Sequence, residues 1–152
     1  MIFLTFRSTS LFRISSMADR LSRERRSENM RRIRSKGTVP ELMVRRIVHA
    51  AGFRFRLHAP NLPGRPDLVF PRLHKVVFVH GCFWHQHKRC REGRIPGSRR
   101  DYWEPKLTRN VERDKAHKAA LHRLGWEVMT VWECQLKNCE KIERKILNFL
   151  GR

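Results

Sequence analysis

The chain has 152 residues and sets 34 Lys and Arg against 14 Asp and Glu, a formal charge of +20. That length suits one compact domain with a core of its own. The charge exceeds what solubility requires and points to a polyanionic partner, nucleic acid first, whereas a membrane-bound chain would need a long apolar or amphipathic basic segment that the sequence does not offer.

Residues 1–16, MIFLTFRSTSLFRISS, hold Ser, Thr, Arg and Phe with no acid, and their apolar run is too short to span a bilayer. Met17 opens a differently composed stretch, so 1–16 is expected to be a leader, disordered or upstream of the true start. Residues 17–37 are dominated by Arg with few apolar side chains and read as a basic nucleic-acid-binding arm. Residues 38–152 are left as the folded domain.

In that domain TVPE at 38–41 is a capping box, with Thr38 as cap and Pro40 in the first turn, and this accounts for Glu41. The helix that follows should bury Met43, Val44, Ile47 and Val48 and stop at Gly52. FRFRLH, 53–58, alternates as a strand with one wet, basic face. After the turn-rich APNLPGRP, the short runs DLVF and KVVFV predict two neighbouring strands that end at one loop, VFVHGCFWHQHKRC. Leu107, Val111, Leu121 and Leu124 recur at helical spacing up to Gly125, WEVMTVW is a buried strand with Trp126 and Trp132 in the core, and a last helix from about Asn138 turns Ile142, Ile146, Leu147 and Leu150 inward. This order predicts an α/β fold, a mixed central sheet flanked by helices.

Cys82, His87 and Cys90 lie close together in the loop, and Cys134 follows the last strand. Thiolates with an imidazole in a set of four select tetrahedral zinc and leave no open position, so the expected site is structural. The alternative is ordinary buried thiols; disulfides suit an oxidising compartment, whereas cysteines beside histidines favour a reducing one and a metal. Cys139 has no such company. His80 and His85 remain for other work. Asp67 opens a strand where a hard cation could find oxygen ligands, and Asp114 falls on the inward face of its helix, where an acid needs a partner. A histidine held by that carboxylate has its tautomer set and its free nitrogen made more basic, so Asp67 with a divalent ion and His85 with Asp114 outline a metal-assisted phosphodiesterase. Against this, Asp67 could be a plain turn residue after Pro66, and Asp114 could pair with Arg109 or Arg113. Phe83 and Trp84, with Trp103 further on, are candidates for an apolar wedge between stacked bases; core packing is the alternative for all three.

Four stretches in this order, NLPGRPDLVF, VFVHGCFWHQH, YWEPKLTRNVERD and GWEVMTVWEC, resemble the very short patch repair endonuclease family, Vsr, from about Met17 to the C-terminus. The resemblance implies a restriction-endonuclease-like fold, one structural zinc, and magnesium-dependent nicking of one DNA strand 5′ to the thymine of a T·G mismatch, the lesion left when 5-methylcytosine deaminates. It implies that Asp67 and the main-chain carbonyl of Val79 hold magnesium, that His85 is the general base oriented by Asp114, and that His80 lies beside the scissile phosphate. It further implies zinc on Cys82, His87, Cys90 and Cys134, intercalation by Phe83, Trp84 and Trp103, and minor-groove contact by Asn29 and Met30. A monomer in the cytoplasm, associated with the nucleoid and working with mismatch-repair and polymerase partners, completes the expectation. Val79 stands where the family often has Thr, two residues rather than one separate His87 from Cys90, and histidines replace the Glu-x-Lys half of the wider nuclease signature. Two rivals remain: a His-Asn-His nuclease built on His80, Asn110 and His117, and a non-catalytic zinc-stabilised nucleic-acid-binding module.

Overall fold

The computed structural model describes residues 36–151 apart from Arg89 and Ser98. The expected leader, most of the basic arm, and Asn29 and Met30 lie outside the described residues. Helix α1 (Val39–Ala50) starts where Thr38 Oγ1 accepts from the Glu41 amide, at 3.4 Å, and where Pro40 suits the first turn. The Glu41 carboxylate reaches back to the Gly37 amide at 2.7 Å, one residue earlier than a capping box requires.

Strands β1 (Arg56–Leu57), β2 (Leu68–Phe70), β3 (Lys75–His80) and β4 (Glu127–Trp132) form one sheet in that order, β1–β2 and β2–β3 antiparallel, β3–β4 parallel. A single 3₁₀ turn, Pro71–Leu73, joins β2 to β3. Helix α2 (Arg100–Arg123) crosses between β3 and β4, and helix α3 (Cys139–Leu150) closes the chain, capped by Asn138 and ended by Gly151 in the left-handed region. Among the described residues, no helix is long and apolar enough to cross a membrane.

Both faces of the sheet are covered, which is why β2 and β3 are nearly continuous apolar runs. Val44 and Val48 of α1 and Ile142, Ile146 and Leu150 of α3 pack on Leu68, Phe70, Val77, Met129 and Val131. On the other face Leu121 of α2 meets Val69, Val76 and Phe78. The parallel pairing matters most for function. It aligns His80 with Trp132, so the segments leaving β3 and β4 start from the same edge.

Three expectations are corrected. The strand over 53–58 shrinks to its two exposed residues Arg56 and Leu57, because Phe53 and Phe55 turn instead to pack on the ring of Phe70. Helix α2 begins at Arg100, ahead of its first aliphatic residue, and contains Pro105 one turn in, where the ring removes only one backbone bond. Trp126 and Trp132 are half-buried rather than core; Trp126 lies against His74, and Trp132 stands at the functional edge.

Candidate active site and zinc cluster

Asp67 sits one residue before β2, where the antiparallel ladder with β3 stops. Its carboxylate takes over as acceptor for the next free β3 amide, that of Val79, at 2.7 Å to Oδ2. In an extended strand the N–H and C=O of one residue point the same way, so the Val79 carbonyl faces that edge as well. Oδ1 is left to the cleft. Burial pushes the Asp67 carboxyl up to about 6, against the lowering effect of the Val79 amide, with the nearby Glu41 charge adding to the rise. A carboxylate held so high needs a cation to stay ionised at low cost.

Across the same cleft, which has a volume of about 500 Å³, stand His80, His85, Asp114, His117 and Lys118. His85 Nδ1 lies 2.5 Å from Asp114 Oδ2, and His80 Nδ1 lies 3.9 Å from the same oxygen. The two imidazoles stack at 3.7 Å between centroids, tilted by 13°. Burial drives the His80 pKa down to about 3, and the charge of His85 pushes it further the same way, so His80 is neutral at physiological pH. Burial alone would raise Asp114, but the hydrogen bond and charge of His85 hold it below the ordinary carboxylate range. Lys118, lowered by burial, borders the same carboxylate.

Helix α2 delivers this chemistry on one stripe. Trp103 and Leu107 anchor its first half and Leu121 its end, and Asp114, His117 and Lys118 fall between, three and four residues apart, on the cleft side. Asn110 donates to the Trp84 carbonyl at 3.1 Å and so holds the loop against the helix. That contact takes it away from the role a His-Asn-His nuclease would give it. Arg109 and Arg113, the alternative partners for Asp114, make their hydrogen bonds instead to Pro105 and Asn110.

Cys82, His87, Cys90 and Cys134 bring their donor atoms within 4.8 Å of one another. His87 Nδ1 lies 3.2 Å from Cys134 Sγ and 3.7 Å from Cys82 Sγ, and Cys90 joins them despite the extra residue before it. Burial pushes the Cys82 thiol up to about 12 in this apolar, thiol-rich setting. Three thiols and one imidazole converging this closely fit a closed tetrahedral zinc site. The His87 ring stacks on Trp132 at 4.3 Å, and Trp132 also meets His80 edge-on at 5.5 Å. One tryptophan therefore links the thiol cluster to the imidazole pair.

Phe83 and Trp84 project from the same loop half-buried, in T-shaped contact at 5.0 Å. Trp103, expected beside them as a DNA-contacting side chain, is 6 % exposed and lies under both, at 5.2 Å from Phe83 and 6.1 Å from Trp84. In this arrangement it is the buttress of the pair. Tyr102, exposed and packed on Trp103, and Lys106, whose Nζ stands over three of these rings, extend the surface.

The family model for the DNA mismatch endonuclease Vsr matches residues 18–92. The DNA mismatch endonuclease Vsr of Escherichia coli is 40 % identical over 86 % of this chain and 83 % of its own length. The chain belongs to the Vsr family. It is therefore a DNA endonuclease of the mismatch-repair, strand-nicking kind, a hydrolase acting on DNA. Two further Vsr-like relatives carry the description type II nicking enzyme: V.XorIIP of Xanthomonas oryzae, 52 % identical over 88 % of this chain and 98 % of its own, and V.NmeAIP of Neisseria meningitidis, 43 % identical over 90 % and 96 %. Among solved structures, the catalytic domain of the homing endonuclease I-Bth0305I shares the fold, with a TM-score of 0.53 at 18 % identity over 74 % of this chain and 94 % of that one.

In this Vsr-family chain two further residues that the sequence reading passed over gather round Asp67: His58, which lines the cleft, and Glu41 behind it. Glu41 is 2 % exposed; beyond its cap it contacts Arg45 and lies 3.0 Å from His58 Nε2, which puts it at the Asp67 end of the site. A buried acid in a first helical turn, explained too readily by capping, was the available signal. His58, at the close of an apparent strand, carried none.

Proposed function

We propose that this endonuclease nicks one strand of duplex DNA 5′ to the thymine of a T·G mismatch, by magnesium-dependent hydrolysis, on a scaffold braced by one structural zinc. The observation that carries the reading is the meeting of Asp67, the Val79 edge and the His85–Asp114 pair in a single cleft. Asp67 and the Val79 carbonyl would hold the magnesium, whose charge polarises the phosphate and stabilises the charge that builds on it. Asp114 holds His85 through Nδ1, which leaves Nε2 free to take a proton from the attacking water. His80, kept neutral, gives His85 a flat stacking surface without adding a competing cation, and can donate one ring N–H to the phosphate. Lys118 contributes positive charge at the same wall. Phe83 and Trp84, buttressed by Trp103 and held by the zinc loop, enter the stack at the mismatch, and the basic arm with Asn29 and Met30 reaches the minor groove. The mature enzyme would act as a cytoplasmic monomer on nucleoid DNA.

A duplex labelled on one strand and carrying a single T·G pair in varied flanking contexts tests this. One nick, 5′ to the thymine, requiring magnesium and absent from the T·A control is the expected result. Binding without any nick would favour the non-catalytic module.

A further inference from the structure

His58 stands at a junction that its sequence position does not advertise. Its backbone is left-handed, φ 47°, a conformation that costs a non-glycine residue free energy and persists only where its surroundings hold it. The result is a ring wedged between two carboxylates, Nε2 at 3.0 Å from Glu41 Oε1 and Nδ1 at 3.8 Å from Asp67 Oδ1. The first distance is a hydrogen bond. The second is too long for one, yet it lies within the span of about 4 Å that two donors can have when they share a single ion with bonds of about 2.1 Å.

The hydrogen-bond geometry is consistent with that. With Nε2 in hydrogen-bond contact with the Glu41 carboxylate, Nδ1 is the ring nitrogen turned towards Asp67. Arg45 spends its NH2 group on the same Glu41 oxygen while lying 3.2 Å from Nε2, so both side chains converge on Glu41. Asp67 Oδ2 is taken by the Val79 amide, and Oδ1 faces Nδ1 across the gap. Glu41, His58 and Asp67 together have donor atoms within 4.8 Å. A carboxylate that orients a histidine from behind, leaving the other nitrogen for a cation, is the usual support of a metal-ligating imidazole.

We infer that His58 Nδ1 is a ligand of the divalent ion held by Asp67, with Glu41 fixing its tautomer, so that this chain's ion site accepts a nitrogen donor and binds manganese in preference to magnesium. This rests on the reading of Asp67 as a metal ligand. Imidazole adds little for magnesium, which prefers oxygen, and more for manganese.

The test is manganese binding to the zinc-loaded protein, followed by electron paramagnetic resonance. A modulation from one imidazole nitrogen is expected, shifting from the ¹⁴N to the ¹⁵N pattern when the protein is grown with ¹⁵N-histidine. His58→Asn tolerates the left-handed backbone. It should abolish the modulation and weaken manganese binding roughly tenfold or more while changing magnesium affinity less. His85→Ala should keep the modulation, which separates His58 from the imidazoles on the opposite wall. Wild-type protein that binds manganese with no nitrogen coupling, or a coupling that survives His58→Asn, overturns the inference. Asp67→Ala that leaves manganese affinity untouched would instead overturn the underlying placement of the ion.

Discussion

His80 and Asp67, on opposite walls of the cleft, have their acid–base behaviour changed by burial, and they act in opposite senses on stability. His80 has a folded pKa of about 3 against 6.5 in the unfolded chain, so between those values only the unfolded chain carries the proton and stability rises with pH. Asp67 has a folded pKa of about 6 against 3.8, so from about 4 to 6 the folded protein holds a proton that unfolding releases, and stability falls with pH. In the metal-free protein the two contributions largely cancel across that window. Asp67→Asn should therefore steepen the loss of stability towards acid, by up to about 1.4 kcal/mol per pH unit, and His80→Gln should reduce it by a similar amount. Urea midpoints measured from pH 4 to 6 would show this; parallel profiles for the two variants would contradict it.

At the scale of elements, the loop between β3 and α2 holds Phe83, Trp84 and three of the four residues of the thiol cluster, and it is fixed from two sides. One side is the thiol cluster; the other is Asn110, on the carbonyl of Trp84. Gly93 lies where an added Cβ would meet the His87 carbonyl oxygen at 2.4 Å, a backbone contact with no side chain to give way. Gly93→Ala should displace His87, cost about 1–3 kcal/mol, and lower zinc content as measured by atomic absorption. Full zinc occupancy and an unchanged melting temperature would count against the cluster as drawn. Trp84→Ala should reduce the ratio of nicking on T·G to nicking on matched DNA more than it reduces matched-DNA affinity; equal losses would argue against a wedge.

The same scale explains what could be read from the sequence. The strand runs DLVF and KVVFV and the stop at Gly52 were legible because both sheet faces are buried and the patterns are local. The convergence of Cys82, His87, Cys90 and Cys134 was legible because three of them crowd one loop. The meeting of Asp67 with Asp114 was suggested by the resemblance and by an acid on an inward face, and the parallel register of β3 with β4 supplies the reason for it. His58 and Glu41 were not legible, since their roles depend on the approach of α1 to the start of β2, and no periodicity reports that. Trp103 was read as a contact residue because its motif names an aromatic, but only packing tells a buttress from a probe.

Across the whole molecule, a charge of +20 goes with a candidate catalytic cleft of about 500 Å³, so non-specific phosphate contacts are expected to supply most of the affinity and the cleft the chemistry. Affinity for matched duplex should fall by on the order of 10³ or more between about 50 and 200 mM salt. A flat salt response would show that the basic residues do not engage the backbone. Binding and cleavage are thereby separable, and one substitution separates them. Asp67→Ala removes the carboxylate on which the ion is placed and touches no phosphate-binding cation. On a T·G duplex under single-turnover conditions, nicking should drop by on the order of 10³-fold while the dissociation constant stays within about threefold. Nicking retained at the wild-type rate in that variant would contradict the account.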